Sequence, residues 1–297
     1  MLKIYSNGLT LGVPPSMPVL PENRGGAFTG WSETSTRSNT TFLYSVDSTS
    51  LTGYGYAFTF TLRDLPPTPK HWYNIRDKFI KRCSRMGLIR YHWVTEWQRR
   101  GVPHLHGCLY FPEPLDPIEI KALKAAWCAC VGKYYAIQKG QDIQFIASTV
   151  GWLKYLAKHG SRSKHHYQRS SKPAEWDSSG RIWGKGGEWP TRLTEHDLGP
   201  FFFAFRRLVR RWRIADARVP LPIFDADGKP MASPGDSQYL KWFPAGVGAP
   251  RNSRRIRQAR RCLTSGDRAS CSVRGMSEWI PESLAFQMVD FLENLYL

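Results

Sequence analysis

The sequence predicts an α+β fold in which a split βαβ unit is built around a central antiparallel sheet. Three observations carry that expectation. Between residues 50 and 160, strand and helix patterns alternate in the order strand, helix, strand, strand, helix, strand, helix. The two middle strands are separated only by a short polar turn, as in a hairpin. The chain has 297 residues, 41% of them hydrophobic and 13% aromatic, enough for a substantial core in one large domain or a domain with appendages.

Each element has its own signature. "GYAFTFTL" (Gly55 to Leu62) alternates apolar side chains with threonines, and "LPPTPK" then interrupts the strand. From Pro69 to Met86, the residues Trp72, Ile75, Phe79 and Cys83 recur at helical spacing until Gly87. "LIRYHWVTEW" and "GVPHLHGCLYF" read as strands around the turn "QRRG". Asp116, Pro117 and Glu119 carry the signs of a capped helix start, followed by a buried stripe of Ile120, Leu123, Trp127 and Val131. "QDIQFIA" is a short strand, and Ser148 or Thr149 caps a helix through "VGWLKYLAKHG" that Gly160 stops. This order predicts a ferredoxin- or RRM-like unit, helices on one face and the other face open to carry a site.

The flanks divide differently. Residues 1–50, rich in Ser, Thr, Gly, Pro and Asn, read as a loosely ordered arm or a set of short edge segments. The segment through "GRIWGKGGEWP" suggests a strand or two with long loops. Residues 191–214 include a basic amphipathic helix with Phe202, Phe205, Leu208 and Trp212 on one side. Residues 215–297 read as a Pro/Gly- and Arg-rich tail, partly disordered, closed by an amphipathic helix with Leu284, Met288, Phe291, Leu292 and Leu295 on one side.

Forty-two Lys+Arg against 24 Asp+Glu give a net charge of +18, a surplus that points to a polyanionic partner, most commonly nucleic acid. Arg206, Arg207, Arg210, Arg211 and Arg213, and the arginines of "RNSRRIRQARR", are candidate DNA-binding residues that would contact phosphates. Tryptophans 176, 183 and 189 read as packing residues rather than base-stacking ones. Six scattered cysteines without a Cys-x-x-Cys pair suit a reducing compartment, and no run of about 18 apolar residues suggests a membrane span. A soluble, cytoplasmic protein without a membrane partner is expected.

The chemistry concentrates in three places. His104 and His106 flank one leucine on a strand, so they share a face while Leu105 points to the other. Glu96, just across the hairpin turn, can complete a His, His, Glu set with open positions for substrate; two histidines alone would equally suit a surface pair. Tyr155 and Lys158 are three residues apart on one helix face, where a cation and a metal-polarised phosphate would make a tyrosine hydroxyl a competent nucleophile. Taken alone, Tyr-x-x-Lys is an ordinary amphipathic pattern.

Together, and in this order, "FTFT", "PHLHG" with Glu96 upstream, and "YLAK" resemble the motifs of the HUH endonucleases, specifically the rolling-circle replication initiators of filamentous bacteriophages and related replicons. "GRIWGKGG" adds to the likeness, which spans roughly residues 50 to 190. The resemblance implies a nuclease domain over 51–190 that nicks and rejoins single-stranded origin DNA in a bacterial host cell. It implies that His104, His106 and Glu96 bind a divalent metal, that Tyr155 forms a 5′-phosphotyrosine and frees a 3′-OH, and that Lys158 positions the phosphate. Phe58 to Thr61 would be mainly structural. Two imidazoles favour zinc, manganese or iron, whereas the family implies magnesium or manganese; a phosphate substrate adds hard oxygen ligands and favours the latter.

His159 stands where some initiators carry a second tyrosine, so one tyrosine acts unless Tyr134, Tyr135 or Tyr167 comes near. Nothing matches G-x-x-x-x-G-K-[ST], so a host helicase, together with a host polymerase, is expected as partner. A transposase or relaxase with the same chemistry, and a non-catalytic DNA-binding regulator, remain alternatives.

Overall fold

The computed structural model describes residues 1–12, 30–158, 166–170, 172–218, 223–224, 230–232, 256–257, 259–260 and 275–296. In chain order these form β1 (Leu2–Tyr5), β2 (Gly8–Gly12), α1 (Glu33–Ser45), β3 (Tyr54–Thr61), α2 (Pro69–Arg85), β4 (Arg90–Trp97), β5 (Pro103–Phe111), α3 (Pro117–Val131), β6 (Asp142–Phe145), α4 (Thr149–Leu156), α5 (Tyr167–Ser170), β7 (Trp183–Gly187), β8 (Leu193–His196), α6 (Phe202–Arg218), β9 (Ile223–Phe224), β10 (Pro230–Ala232), β11 (Gly275–Glu278) and α7 (Glu282–Tyr296).

The expected α+β core is present as a five-stranded antiparallel sheet of order β6-β3-β5-β4-β7. Period-2 alternation sends Phe58, Phe60, Leu105 and Leu109 to one face, where they meet Trp72, Ile75 and Phe79 of α2 and Leu123, Trp127 and Val131 of α3. Trp127 is fully buried, its ring 5.0 Å from Phe60, 5.5 Å from Phe79 and 6.0 Å from Trp72. Aromatic pairs of this kind each add about 0.5–1.5 kcal/mol beyond area burial. Asp116 and Glu119 form the expected reciprocal capping box of α3, and Gly87, at φ +87°, follows the end of α2.

The opposite face is less open than the sequence suggested. α1 and α4 lie over it, burying Phe42, Leu43, Leu153 and Leu156 against Val94, Cys108 and Tyr110. α1 comes from the stretch read as a loose arm. Its buried side includes Thr36, Asn39 and Thr40, so its sequence lacks the apolar stripe that marks an amphipathic helix. Asn39 is satisfied in place, its Oδ1 2.8 Å from Nε2 of the fully buried His92.

A second antiparallel sheet, β11-β2-β1-β8, takes up the first twelve residues as two short strands, inner ones rather than edge segments. Leu2, Ile4, Leu9 and Leu11 of the first twelve residues pack on Phe205 and Val209 of α6 and on Ala285, Met288 and Leu292 of α7. β1 and β2 pair with each other as a local hairpin, but their outer partners come from residues 193–196 and 275–278, which a local reading of short strands could not find. On α7, Phe291 and Leu295 are exposed, in place of the buried positions their spacing suggested. Most of 219–274, expected to be partly disordered, lies outside the described residues. Among the described residues, no helix is long and apolar enough to cross a membrane.

Candidate active site

The hairpin β4–β5 sets the site's geometry. Gln98 N–H donates to Val102 O and Gly101 N–H to Gln98 O, each at 2.9 Å, and Gly101 takes φ +80°, a left-handed conformation that glycine adopts without strain. The turn fixes a register in which Glu96 lies opposite His104 and Val94 opposite His106. β3 completes two rows across the sheet, placing Thr61 beside His104 and Thr59 beside His106. Both threonines therefore share the histidine face, while Phe58 and Phe60 enter the core behind it.

The side chains converge on this face. The imidazoles of His104 and His106 are 4.4 Å apart, nearly edge to face. His106 Nε2 is 3.5 Å from Glu96 Oε2, and its Nδ1 is 2.9 Å from Thr59 Oγ1. Lys158 Nζ lies 2.6 Å from Glu96 Oε1, a carboxylate with no solvent exposure. Burial, reinforced by His106 and Lys158 and opposed by Glu96, lowers the pKa of His104 to about 3, leaving its imidazole neutral at neutral pH.

Tyr155 stands at the rim. Ser148 caps α4 through the N–H of Gly151, and Leu153 and Leu156 anchor that helix. The helix ends at Leu156, short of Gly160, but Tyr155 and Lys158 keep their spacing of three. The Tyr155 ring is 5.7 Å from that of His106, lies under Lys158 Nζ at 4.0 Å, and stacks on Trp152 at 4.8 Å. With 40% of its surface exposed, it is the most accessible member of the group, in which Glu96 and His106 are buried and His104 and Lys158 half-buried.

The donor set suits a divalent cation in kind: two imidazoles, one of them held neutral, and a fully buried carboxylate. Among the described residues, the buried Nδ1 of His104 has no hydrogen-bond partner. As the side chains stand, however, no three His, Cys, Asp or Glu among the described residues are arranged to hold a metal. The positive charge beside Glu96 is the ammonium of Lys158.

Two contributors escaped the sequence reading. Thr59 bonds to the His106 ring, although "FTFT" was read as mainly structural; its alternation with phenylalanine was the available signal. Trp152 backs the tyrosine. The other tyrosines are engaged elsewhere: Tyr134 with His71, Tyr135 under Arg63 and Tyr167 under Arg99. His159 lies outside the described residues. Trp176 is buried and Trp189 half-buried, as packing residues would be.

The structure does not bring the five arginines of α6 to this site. Arg206, Arg207, Arg210, Arg211 and Arg213 sit on a helix whose apolar side, Phe205 and Val209, is buried in the second core with β1, β2 and α7. That packing, rather than the histidine face, fixes where their guanidinium groups lie. Arg207 and Arg211 are exposed, and Arg206 and Arg210 are half-buried. Arg213 faces two carboxylates, Asp216 and Glu278, each at 3.5 Å, so its charge is matched within the protein. Of "RNSRRIRQARR", only Ile256, Arg257, Ala259 and Arg260 are described.

A model of the replication-associated protein ORF2 family matches residues 55–172, the segment that carries the histidines, the carboxylate and the tyrosine. The chain is also 38% identical over 300 residues to the replication-associated protein of Pseudomonas phage Pf3, covering 99% of this chain and 97% of that one. It belongs to the ORF2 family of replication-associated proteins.

Two proteins named as putative replication proteins in Xylella fastidiosa are similar to the same extent. The one from strain 9a5c is 38% identical over 308 residues, covering 99% of this chain and 96% of its own. The one from strain Temecula1 is 38% identical over 290 residues, covering 94% and 98%. The likeness of these ORF2 relatives therefore extends through the second sheet and α7, beyond the motif-bearing segment. No solved structure matches at comparable significance.

Proposed function

We propose that the chain nicks and rejoins single-stranded DNA at a replication origin, with Tyr155 as nucleophile, and so starts rolling-circle replication of a phage or plasmid. The observation that carries this reading is the meeting of an exposed tyrosine with a buried carboxylate, two imidazoles and an ammonium on one sheet face.

In this reading, the Tyr155 oxygen bonds to the scissile phosphorus as the bond from phosphorus to the 3′ oxygen breaks. The phenolic proton is lost, and the departing oxygen takes up a proton to become a free 3′-OH. The 5′ phosphate remains on the tyrosine. One phosphodiester has replaced another, so attack by a 3′-OH reverses the step and reseals the strand without a nucleoside triphosphate. An unperturbed tyrosine has a pKa of about 10, so charge developing on the reacting oxygens needs stabilisation.

Lys158 offers a cation directly over the Tyr155 ring, and Thr59 holds the His106 ring in orientation. His104, His106 and Glu96 are the residues that would hold a magnesium or manganese ion, which when bound polarises a phosphate oxygen as a Lewis acid. The exposed Arg207 and Arg211 would contact DNA phosphates away from the reacting bond, with Arg206 and Arg210 beside them on α6. Extension of the free 3′-OH would call on a host polymerase, and strand separation on a host helicase.

The test is incubation of the protein with candidate origin single strands and manganese, followed by mass mapping of the adducted peptide. The expected result is a phosphodiester-linked adduct on Tyr155 that Tyr155→Phe abolishes. An adduct surviving in that variant would remove Tyr155 from its role. Absence of any adduct with the wild type would favour a non-catalytic DNA-binding regulator.

A further inference from the structure

Beside the site lies a groove of about 470 Å³ that the mechanism does not use. One wall is the start of α1, with Thr34, Ser35 and Ser38; the other is the approach to β7, with Arg181, Trp183 and Lys185. Among the described residues, three hydroxyls and two cations line it, and no carboxylate does. Such a lining is suited to an anion: hydroxyls donate to phosphate oxygens, and exposed Arg and Lys neutralise them. The half-buried indole of Trp183 adds an aromatic wall; part of its ring packs on Phe42 at 6.2 Å and His92 at 5.9 Å.

Both walls are tied to the active site through one residue. Thr95 N–H donates to Ile182 O at 2.6 Å, and Trp31 Nε1, just ahead of α1, donates to Thr95 O at 2.9 Å. Thr95 directly precedes Glu96. The groove therefore opens on β7, two strands over from the histidines of β5, with β4 between them. A net charge of +18 and an open, hydroxyl-lined, cationic groove two strands from the proposed nicking site favour an extended polyanion over a small ligand.

We propose that this groove holds the sugar–phosphate backbone of single-stranded DNA flanking the scissile phosphate, with Arg181 and Lys185 as its principal phosphate contacts. The inference rests on the proposed nicking activity, since that reading supplies the strand.

The test uses the full chain and a labelled origin oligonucleotide long enough to extend several nucleotides on both sides of the nick. Binding by fluorescence anisotropy is measured across a salt series for wild type, R181A/K185A and R181K/K185R. We expect R181A/K185A to weaken single-strand binding at least tenfold and to flatten the dependence of log K on log salt by about 0.7 per lost phosphate contact. R181K/K185R should retain wild-type binding, which separates lost charge from lost folding. Wild-type affinity and slope in R181A/K185A would overturn the proposal, as would an equal loss on duplex DNA. Failure of the nicking reading looks different: the wild type would form no covalent adduct, while the binding loss in R181A/K185A would persist.

Discussion

The ammonium of Lys158 and the carboxylate of Glu96 form an ion pair at 2.6 Å inside the sheet face, with Glu96 fully enclosed and the lysine side chain 11% exposed. A buried carboxylate needs a compensating positive charge, and here the lysine provides it. Lysine and a divalent cation would therefore compete for the same oxygens. Lys158→Met should destabilise the protein by about 3–5 kcal/mol in the absence of metal, the usual cost of stranding a buried charge. Manganese should then raise the melting temperature of the variant more than that of the wild type. Equal shifts in calorimetry would show that the two cations do not share a site.

Thr59 reaches the other end of the same cluster. Its hydroxyl is 2.9 Å from His106 Nδ1, leaving Nε2 directed toward Glu96. Thr59→Val keeps the shape and the strand propensity but removes the hydrogen bond that fixes the ring. Loss of such an orienting contact typically costs about 10- to 100-fold in metal affinity or activity. Manganese titration followed by calorimetry should show that loss in Thr59→Val and little change in Thr59→Ser.

The central sheet was legible because its signals are local: alternation in "FTFTL", a tight turn at "QRRG", and helical spacing from Trp72 to Cys83. The cross-strand meeting of Glu96 and His104 followed from the same hairpin. The coverage of the second face was not legible, because α1 buries Thr36, Asn39 and Thr40 and shows little apolar periodicity. Nor was the second sheet beyond its β1–β2 hairpin, because β8 and β11 join that hairpin from more than 180 residues away in sequence. The helix carrying Arg206 to Arg213 was legible as a helix, but its place against that second sheet was not, for the same reason. The position of Lys158 against Glu96, rather than over a free site, depends on a side-chain path that spacing alone does not determine.

Gly107 follows His106 at once, and the packing explains why a side chain is excluded there. A Cβ at this position would lie 2.2 Å from the carbonyl oxygen of His92 and 2.6 Å from the Phe58 ring. One contact is rigid backbone and the other a core aromatic, so neither yields cheaply. Gly107→Ala should cost at least the roughly 1–3 kcal/mol typical of overpacking and should displace the adjoining His106. Urea unfolding would measure the first effect. Adduct formation reduced by more than the folded fraction would reveal the second.

His92 links the sheet to α1 and sets the direction of the pH dependence. It is fully buried, stacked on Phe42 at 5.6 Å, and its Nε2–H donates to Asn39 Oδ1 at 2.8 Å. Burial, aided by the charge of Lys185, lowers its pKa from 6.5 to about 3. Between those values the unfolded chain binds a proton that the folded chain refuses. Stability should therefore be full above pH 6.5 and fall as the pH drops toward 3, by about 1.4 kcal/mol per pH unit for each such histidine. His104 contributes with the same sign. Urea unfolding between about pH 7.5 and 4.5 should show this slope. His92→Phe, though destabilised by leaving Asn39 without its donor, should lose one proton's share of it; an unchanged slope would mean that His92 is protonated in the folded protein.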